Sequence, residues 1–486
     1  MLFLERTTNE TARSLKAKTR LRPIIVRALL VIAGSLLTGN ITSARQPNIV
    51  LILADDLGWH QTGCYGSTFY ETPHIDRLAA KGMKFTDAYA ACPVCSPTRV
   101  SIMTGKYPAR LNTTDFFGGA GKRKPTTRTL VEPTWTMKLP LSETTIAEAL
   151  KSVGYATGHF GKWHLNEDKK YAPGRAGDPG SQGFDDVLTT HKPGAGPSSQ
   201  YEHDAHHVRE ITERAIEFID SHRDEAFFCY VPHNSIHRPI FEREELINKY
   251  RRKPASDLPQ HNPGVAAMVE TLDASVGRIL QCLQANSLAN STMLIFVSDN
   301  GCMFGPDVLK PLRGGKADLF EGGIRVPMVV RWPEHTAPGS TCSIPVSTVD
   351  FFPTLMDAAG SPATDLKIDG ESLVTLLKQT GSLQRDAIYW HYPHYHKLAM
   401  APGGAIREGR YKLIEWFENS VGGVNKTRQI ELFDLEADIS EQHNIAAQHP
   451  ERAQRLWTKL QNWRRSVAAQ VMERQAGDPT TTLQRQ

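Results

Sequence analysis

The run Asn48-Ile49-Val50-Leu51-Ile52-Leu53-Ala54 carries no charge, is rich in β-branched and aliphatic side chains, and stops at Asp55-Asp56. Successive strand residues point to opposite faces, so a strand apolar on both faces needs cover on both sides. Comparable runs recur at 227–231, 293–297 and 327–330. Between them, apolar residues return at helical spacing over 75–81, 145–153, 207–221 and 265–283. Strands alternating with helices predict an α/β fold: a large, mainly parallel sheet sandwiched by helices.

In open sheets of this kind, chemistry gathers beyond the carboxyl ends of the strands. Asp55-Asp56 ends the first run, His233 and His237 follow the second, and Asp299-Asn300 ends the third. Three strand tips thus deliver polar groups to one edge. Burying carboxylates together is costly without a compensating cation. Asp55, Asp56, Asp299 and Asn300 make an oxygen-rich set suited to a hard cation such as Ca2+ or Mg2+.

The net charge of +4 is concentrated at the start. Residues 1–44 hold seven Lys/Arg against Glu5 and Glu10, so the remainder is close to neutral. Nothing global points to nucleic acid or an anionic membrane as partner. The same 44 residues read as an export leader: a basic stretch to Arg27, an apolar run over 28–37, and Thr42 and Ala44 before a cleavage point. The apolar run falls short of the ~20 residues a spanning helix needs. The expectation is therefore a periplasmic or secreted protein with no stable membrane insertion after cleavage. Residues 45–365 read as the catalytic domain. Residues 366–486 read as a smaller α+β subdomain, with short strands near 409–414 and 430–435, a helix over 450–467, and a disordered polar tail from 477.

Of seven cysteines, Cys92 and Cys95 have CxxC spacing, but no second pair completes a zinc site. The six other than Cys95 are open to disulfide formation without a legible pairing. The more telling frame is Cys95-Ser96-Pro97-Thr98-Arg99, continuing to Thr104-Gly105. Gly161-Lys162-Trp163-His164, His237-Arg238-Pro239, Arg313-Gly314-Gly315-Lys316 and Glu321-Gly322-Gly323 follow in order, with Glu431-Leu432-Phe433-Asp434-Leu435 near the end. Together these resemble the motifs of the type I sulfatases, formylglycine-dependent and arylsulfatase-like members of the alkaline-phosphatase-like superfamily.

The resemblance implies a sulfuric ester hydrolase whose Cys95 is oxidised to Cα-formylglycine by a maturation enzyme before the chain folds. The hydrated aldehyde would attack sulfur through one hydroxyl and expel sulfate through the other. Arg99 would stabilise the hydrate, with Lys162 and His164 contacting it and the sulfate. His237 and Lys316 would protonate the leaving oxygen. Asp55, Asp56, Asp299 and Asn300, with residue 95, would hold Ca2+, Mg2+ being the alternative. His237 is preferred over His233 because Pro239 matches the family pattern. His191, His203, His206 and His207 read as solvated or substrate-contacting. The implied substrate is a sulfated carbohydrate, or an aryl sulfate as an artificial one. The alternative is a phosphoric or phosphonic ester hydrolase of the same superfamily, against which Cys95, Pro97 and Arg99 speak. One departure, His60-Gln61 where many members have Gly-Asp, bears on substrate preference. His60 and the loops 116–124 and 192–200 are expected to form pocket walls.

Overall fold

The computed structural model describes residues 46–118, 129–168, 170–193, 204–303, 311–363, 366–396, 398, 401–421 and 430–474. The leader, His203 and the tail from 477 lie outside them, as do most of the loops 116–124 and 192–200. Among the described residues no helix is long and apolar enough to cross a membrane.

The opening run forms β1 (Asn48–Ala54) with every residue buried. Its alternating residues serve two cores. Ile49, Leu51 and Leu53 pack into one cluster, Val50, Ile52 and Ala54 into the other. On the first side lie α2 (Cys95–Thr104), α3 (Ile146–Ser152) and α6 (Phe351–Ala358). On the second lie α1 (Pro73–Ala80), α4 (Val208–Ser221) and α5 (Pro263–Ala285). The helix starts follow local chemistry. Thr145 and Glu148 form a reciprocal capping box at α3, and Asn262 caps α5 with Pro263 in its first turn.

The remaining strands are β2 (Met83–Phe85), β3 (Ala156–Gly161), β4 (Asp186–Thr189), β5 (Phe227–Pro232), β6 (Thr292–Ser298), β7 (Met328–Arg331) and β8 (Ser340–Cys342). The eight-stranded sheet has the order β8-β2-β7-β6-β1-β5-β3-β4. The five strands from β6 to β4 are all parallel. The run at 327–330 departs from the parallel expectation: β7 lies antiparallel to β6, pairing Val297 with Met328 and Leu294 with Arg331. An apolar run reports that both faces are covered; it says nothing of strand direction.

The C-terminal region builds a second, antiparallel sheet from β9 (Ala387–Tyr392), β10 (Gly403–Glu408), β11 (Tyr411–Trp416) and β12 (Ile430–Asp434). The helix α7 (Pro450–Ser466) lays Leu456, Leu460 and Trp463 against it. The reading near 409–414 caught β11 only. The turn before it places Gly409 at φ +55° between paired Glu408 and Tyr411. This sheet also touches the segments around the parallel strand tips. Trp390, Ala405, Ile414 and Phe433 share a cluster with Tyr89, Val94, Leu319 and Phe320.

Candidate active site

Cys95 is the first residue of α2 and Arg99 lies four positions on, so both project from one face of the helix. The helix start brings a partial positive charge to the thiol position, favourable for an anion. The site closes around it from four strand tips. In-register pairing of Ala54 with Ser298 sets Asp55 and Asp56 beside Asp299 and Asn300. The backbone N–H of Asp56 donates to Asp299 Oδ1 at 3.2 Å. After β5, the N–H of His233 donates to Leu53 O at 2.9 Å, which ties the segment leading to His237 to the end of β1.

Two glycines make these approaches feasible. Gly161 has φ +132°, and a Cβ there would fall 2.0 Å from Pro232 O. Without one, the N–H of Lys162 reaches that same carbonyl at 2.7 Å. At Gly301 an added Cβ would meet Gly322 O at 1.8 Å. The two loops therefore run backbone against backbone, with the N–H of Gly301 donating to Gly323 O at 2.9 Å and that of Lys316 to Cys302 O at 2.8 Å. This contact delivers Lys316.

Asp55, Cys95 and Asp299 each offer a ligand atom within 4.8 Å of the others, all three buried. Lys162 Nζ donates to Asp55 Oδ2 at 2.7 Å, and Lys316 Nζ to Asp56 Oδ1 at 2.6 Å. Arg99 is fully buried and donates to Asp299 Oδ2 from Nε (2.9 Å) and one Nη (2.8 Å), and to Lys162 O from the other (2.9 Å). It supports the carboxylate cluster from behind. His164 Nδ1 lies 3.3 Å from Cys95 Sγ while its Nε2 faces Phe117 O at 3.1 Å. His237 Nε2 lies 3.7 Å from Asp56 Oδ2.

Even so, Asp55 Oδ1, Asp56 Oδ2 and Asn300 Oδ1 are buried without a hydrogen-bond partner. Unpartnered acceptor oxygens on adjoining strand tips, with Asp55, Cys95 and Asp299 within reach of one another, fit a hard cation with oxygen ligands. The electrostatics agree. Burial works to raise both Asp55 and Asp56, yet Lys162 beside the first and Lys316 beside the second hold them below the usual carboxylate range. Burial and the neighbouring Asp55 push Asp299 up to about 8 against the pull of Arg99. Asp55 and Asp56 are thus held ionised, as cation ligands must be, while Asp299 is the carboxylate whose charge a bound cation would favour. Burial opposes the charge on Lys316, but Asp56 holds its pKa well above the normal lysine value. Burial pushes His237 down to about 3, leaving it neutral.

The site opens into a cavity of about 520 Å3 that includes Cys95, Lys162, His164, His237 and Lys316. Its walls add Phe116, Phe117, Lys192, Arg175, Tyr171 and His396. His60 is not part of this lining; it stacks on Trp59 at 6.1 Å between ring centroids. His233 is fully buried, with Nε2 3.1 Å from Ser275 Oγ. His206 departs from the solvated expectation: it is 3% exposed and its Nε2 lies 2.9 Å from His237 O, packed under the loop it supports. His191 lines the cavity, and His207 precedes α4 and pairs with Glu210. None of the seven cysteines, all of them among the described residues, forms a disulfide.

Sequence reasoning missed the support for Lys316. Glu321, just beyond it, accepts from buried Lys412 of β11 at 2.9 Å, from Arg325 at 3.2 Å and from the Tyr89 hydroxyl at 2.7 Å. Glu441 takes Lys412 at 2.9 Å, the N–H of Glu321 at 2.6 Å and, on its carbonyl, Arg313 at 2.8 Å. Isolated charges in a C-terminal region carry no motif, so no signal in the sequence could have found them.

A parallel sheet with helices on both faces, an acidic cluster at its strand tips and a thiol at a helix start define a hydrolase site of the alkaline-phosphatase-like kind. The chain belongs to the sulfatase family: the Sulfatase family model matches residues 47–361. A second model, N-sulphoglucosamine sulphohydrolase, C-terminal, matches 315–466. Arylsulfatase A of Homo sapiens is 31% identical, over 77% of this chain and 76% of that protein. The N-acetylgalactosamine-6-O-sulfatase of Bacteroides thetaiotaomicron is 28% identical over 90% of this chain and 99% of its own. Among solved structures, Ps i-CgsB in complex with k-i-k-neocarrahexaose superposes with a TM-score of 0.70 at 27% identity, covering 86% of this chain and 93% of that one.

Proposed function

We propose that this sulfatase removes sulfate from a carbohydrate ester, using a formylglycine at position 95 and a divalent cation, Ca2+ or Mg2+, held by Asp55, Asp56, Asp299 and Asn300. The observation that carries the reading is the meeting of Cys95 with Asp55 and Asp299 within 4.8 Å, beside acceptor oxygens that lack donors. Support for a sugar substrate comes from the relatives: one is named an N-acetylgalactosamine-6-O-sulfatase, and another was solved in complex with k-i-k-neocarrahexaose. The basic, apolar leader supports export to the periplasm or beyond. A maturation enzyme is the implied partner.

A hydrated formylglycine would supply an oxygen nucleophile and then an elimination route back to the aldehyde, which a thiol or serine lacks. A bound divalent cation would draw charge from the sulfate oxygens and so favour attack on sulfur. The chain's own residues account for the rest. Lys162, pinned by Asp55, and His164, against position 95, orient the sulfate oxygens and the nucleophile. Arg99 holds Asp299 and the Lys162 carbonyl in place. Lys316, kept protonated by Asp56, carries the proton destined for the leaving alcohol, with neutral His237 beside it.

Peptide mass analysis of residue 95 in active protein, with turnover by Cys95→Ala, tests the reading. We expect an aldehyde at position 95 and no turnover in the variant. An untouched thiol in fully active protein would sink it.

A further inference from the structure

Two adjoining depressions, of about 540 and 580 Å3, lie away from the active site and share Lys81 and Arg331 in their walls. Arg331 pairs with Leu294 near the start of β6, whereas Asp299 follows the end of that strand. The groove therefore sits toward the opposite end of the strands, about 17 Å along β6 at 3.3 Å per residue. Its walls collect Arg77, Lys81, Arg278, Arg331 and Lys378 from four separate parts of the chain, with Glu334 as the one acidic residue among them. Arg77, Lys81, Arg278 and Lys378 are exposed.

Little on the protein neutralises these cations. Among the described residues, only Arg278 has a carboxylate within 4 Å, Glu213 at 3.7 Å. Arg77 contacts His74, Arg331 donates to Ala289 O at 2.8 Å, and Lys378 lies 5.6 Å from the Trp332 ring centroid. Burial lowers Arg331 below the usual guanidinium value with no anion to offset it. A concave run of five cations on a chain that is close to neutral beyond its leader is a local excess, and such a surface concentrates polyanions. Leu280 and Pro333, both partly exposed, line the same walls and offer apolar contact between the charges.

We propose that this groove is a second binding site for a sulfated polysaccharide, holding the polymer while the catalytic cavity works on it. The inference rests on the reading of the substrate as a sulfated carbohydrate. A chain with anionic groups repeated along its length matches cations spread along a groove; a single small anion would use one or two of them. Tethering at a remote site raises the local concentration of ester groups around the cavity without any new catalytic contact.

The test is electrophoresis of the full-length protein through gels containing dextran sulfate, neutral dextran or duplex DNA, alongside turnover on a small aryl sulfate and on a sulfated polysaccharide. We expect retention by dextran sulfate that weakens roughly tenfold in Arg77→Gln/Lys81→Gln/Lys378→Gln, since each removed cation releases part of a salt-dependent attraction. The variant should keep its aryl sulfate turnover while its polymer turnover falls, and Lys81→Arg/Lys378→Arg should behave as the parent. Unchanged retention in the triple variant overturns the proposal, as does equal retention by duplex DNA at matched salt. Retention that depends on the groove in a protein cleaving no sulfated sugar would refute the substrate reading and leave the groove standing.

Discussion

Lys412 Nζ meets Glu321 Oε1 at 2.9 Å with both side chains fully buried, and that contact fastens the loop bearing Lys316 to the C-terminal sheet. Neither residue lines the catalytic cavity. A group that holds the proton for a leaving alcohol must be placed to a fraction of an ångström. If Lys316 has that role, as proposed, the second sheet supplies the placement from outside the motifs.

Removing one member of such a network leaves uncompensated buried charge. Lys412→Met should destabilise the protein by about 3–5 kcal/mol. Adding Glu441→Gln removes one of the two stranded carboxylates and should restore part of the loss. Urea unfolding of the single and double variants measures both; equal stabilities would show that the pair is energetically idle.

Lys316→Ala should slow the reaction according to how much the departing alcohol needs a proton. With poor leaving groups the loss should be about 10²–10⁴-fold, the usual span for general acid catalysis. With activated aryl sulfates it should shrink toward none. A plot of log kcat/KM against leaving-group pKa, steeper in the variant than in the parent, is the expected outcome, and parallel lines would remove Lys316 from the acid role.

Ca2+ should raise the unfolding temperature of metal-stripped protein. At a hundredfold excess over Kd the stabilisation is about 2.7 kcal/mol. Asp55→Asn removes a carboxylate whose Oδ1 has no donor in the fold. The calcium-dependent shift should then largely vanish. A variant that retains the whole shift would place the ion elsewhere.

Asp115 lies beneath the Phe116 and Phe117 wall and accepts the Tyr392 hydroxyl at 2.8 Å. Burial pushes its carboxyl up to about 7, although Tyr392 pulls the other way. The folded state thus binds this proton more tightly than the unfolded chain, whose value is near 3.9. Between about pH 4 and pH 7 the folded state holds more protons, so this group's contribution to stability falls as pH rises through that window. Asp115→Asn keeps an acceptor for Tyr392 and removes the titration. Its stability relative to the parent should rise through the same window by up to about 4 kcal/mol and level off above it. Thermal unfolding from pH 4 to 8 shows it; a difference that is flat with pH would contradict the assignment.

Much of this arrangement was legible before any coordinates. Continuous apolar runs ending in Asp55-Asp56 and Asp299-Asn300 announce strands covered on both faces with carboxylates at their tips, because burial and pleat leave few other solutions. The frame around Cys95 and the ordered motifs after it mark segments that meet at one site, whereas the close backbone passages at Gly161 and Gly301 are visible only in the fold. Direction and partnership were not legible. The run at 327–330 looks the same whether β7 points up or down, and β9 and β10 mix polar and apolar residues in short segments. His206, Lys412 and Glu441 act through contacts 31, 91 and 120 residues away, a range at which pattern carries no information.

Cys95 is 3% exposed, on a helix with every residue buried. Its side chain faces only the cavity, so a second protein could grip this stretch as extended chain only before the sheet and helices close around it. If position 95 carries formylglycine as proposed, its oxidation is a matter of timing during synthesis. On the proposed reading, chain that folds in a cell lacking the oxidising activity would be committed to the thiol, and supplying that activity to the purified native protein would leave it inert.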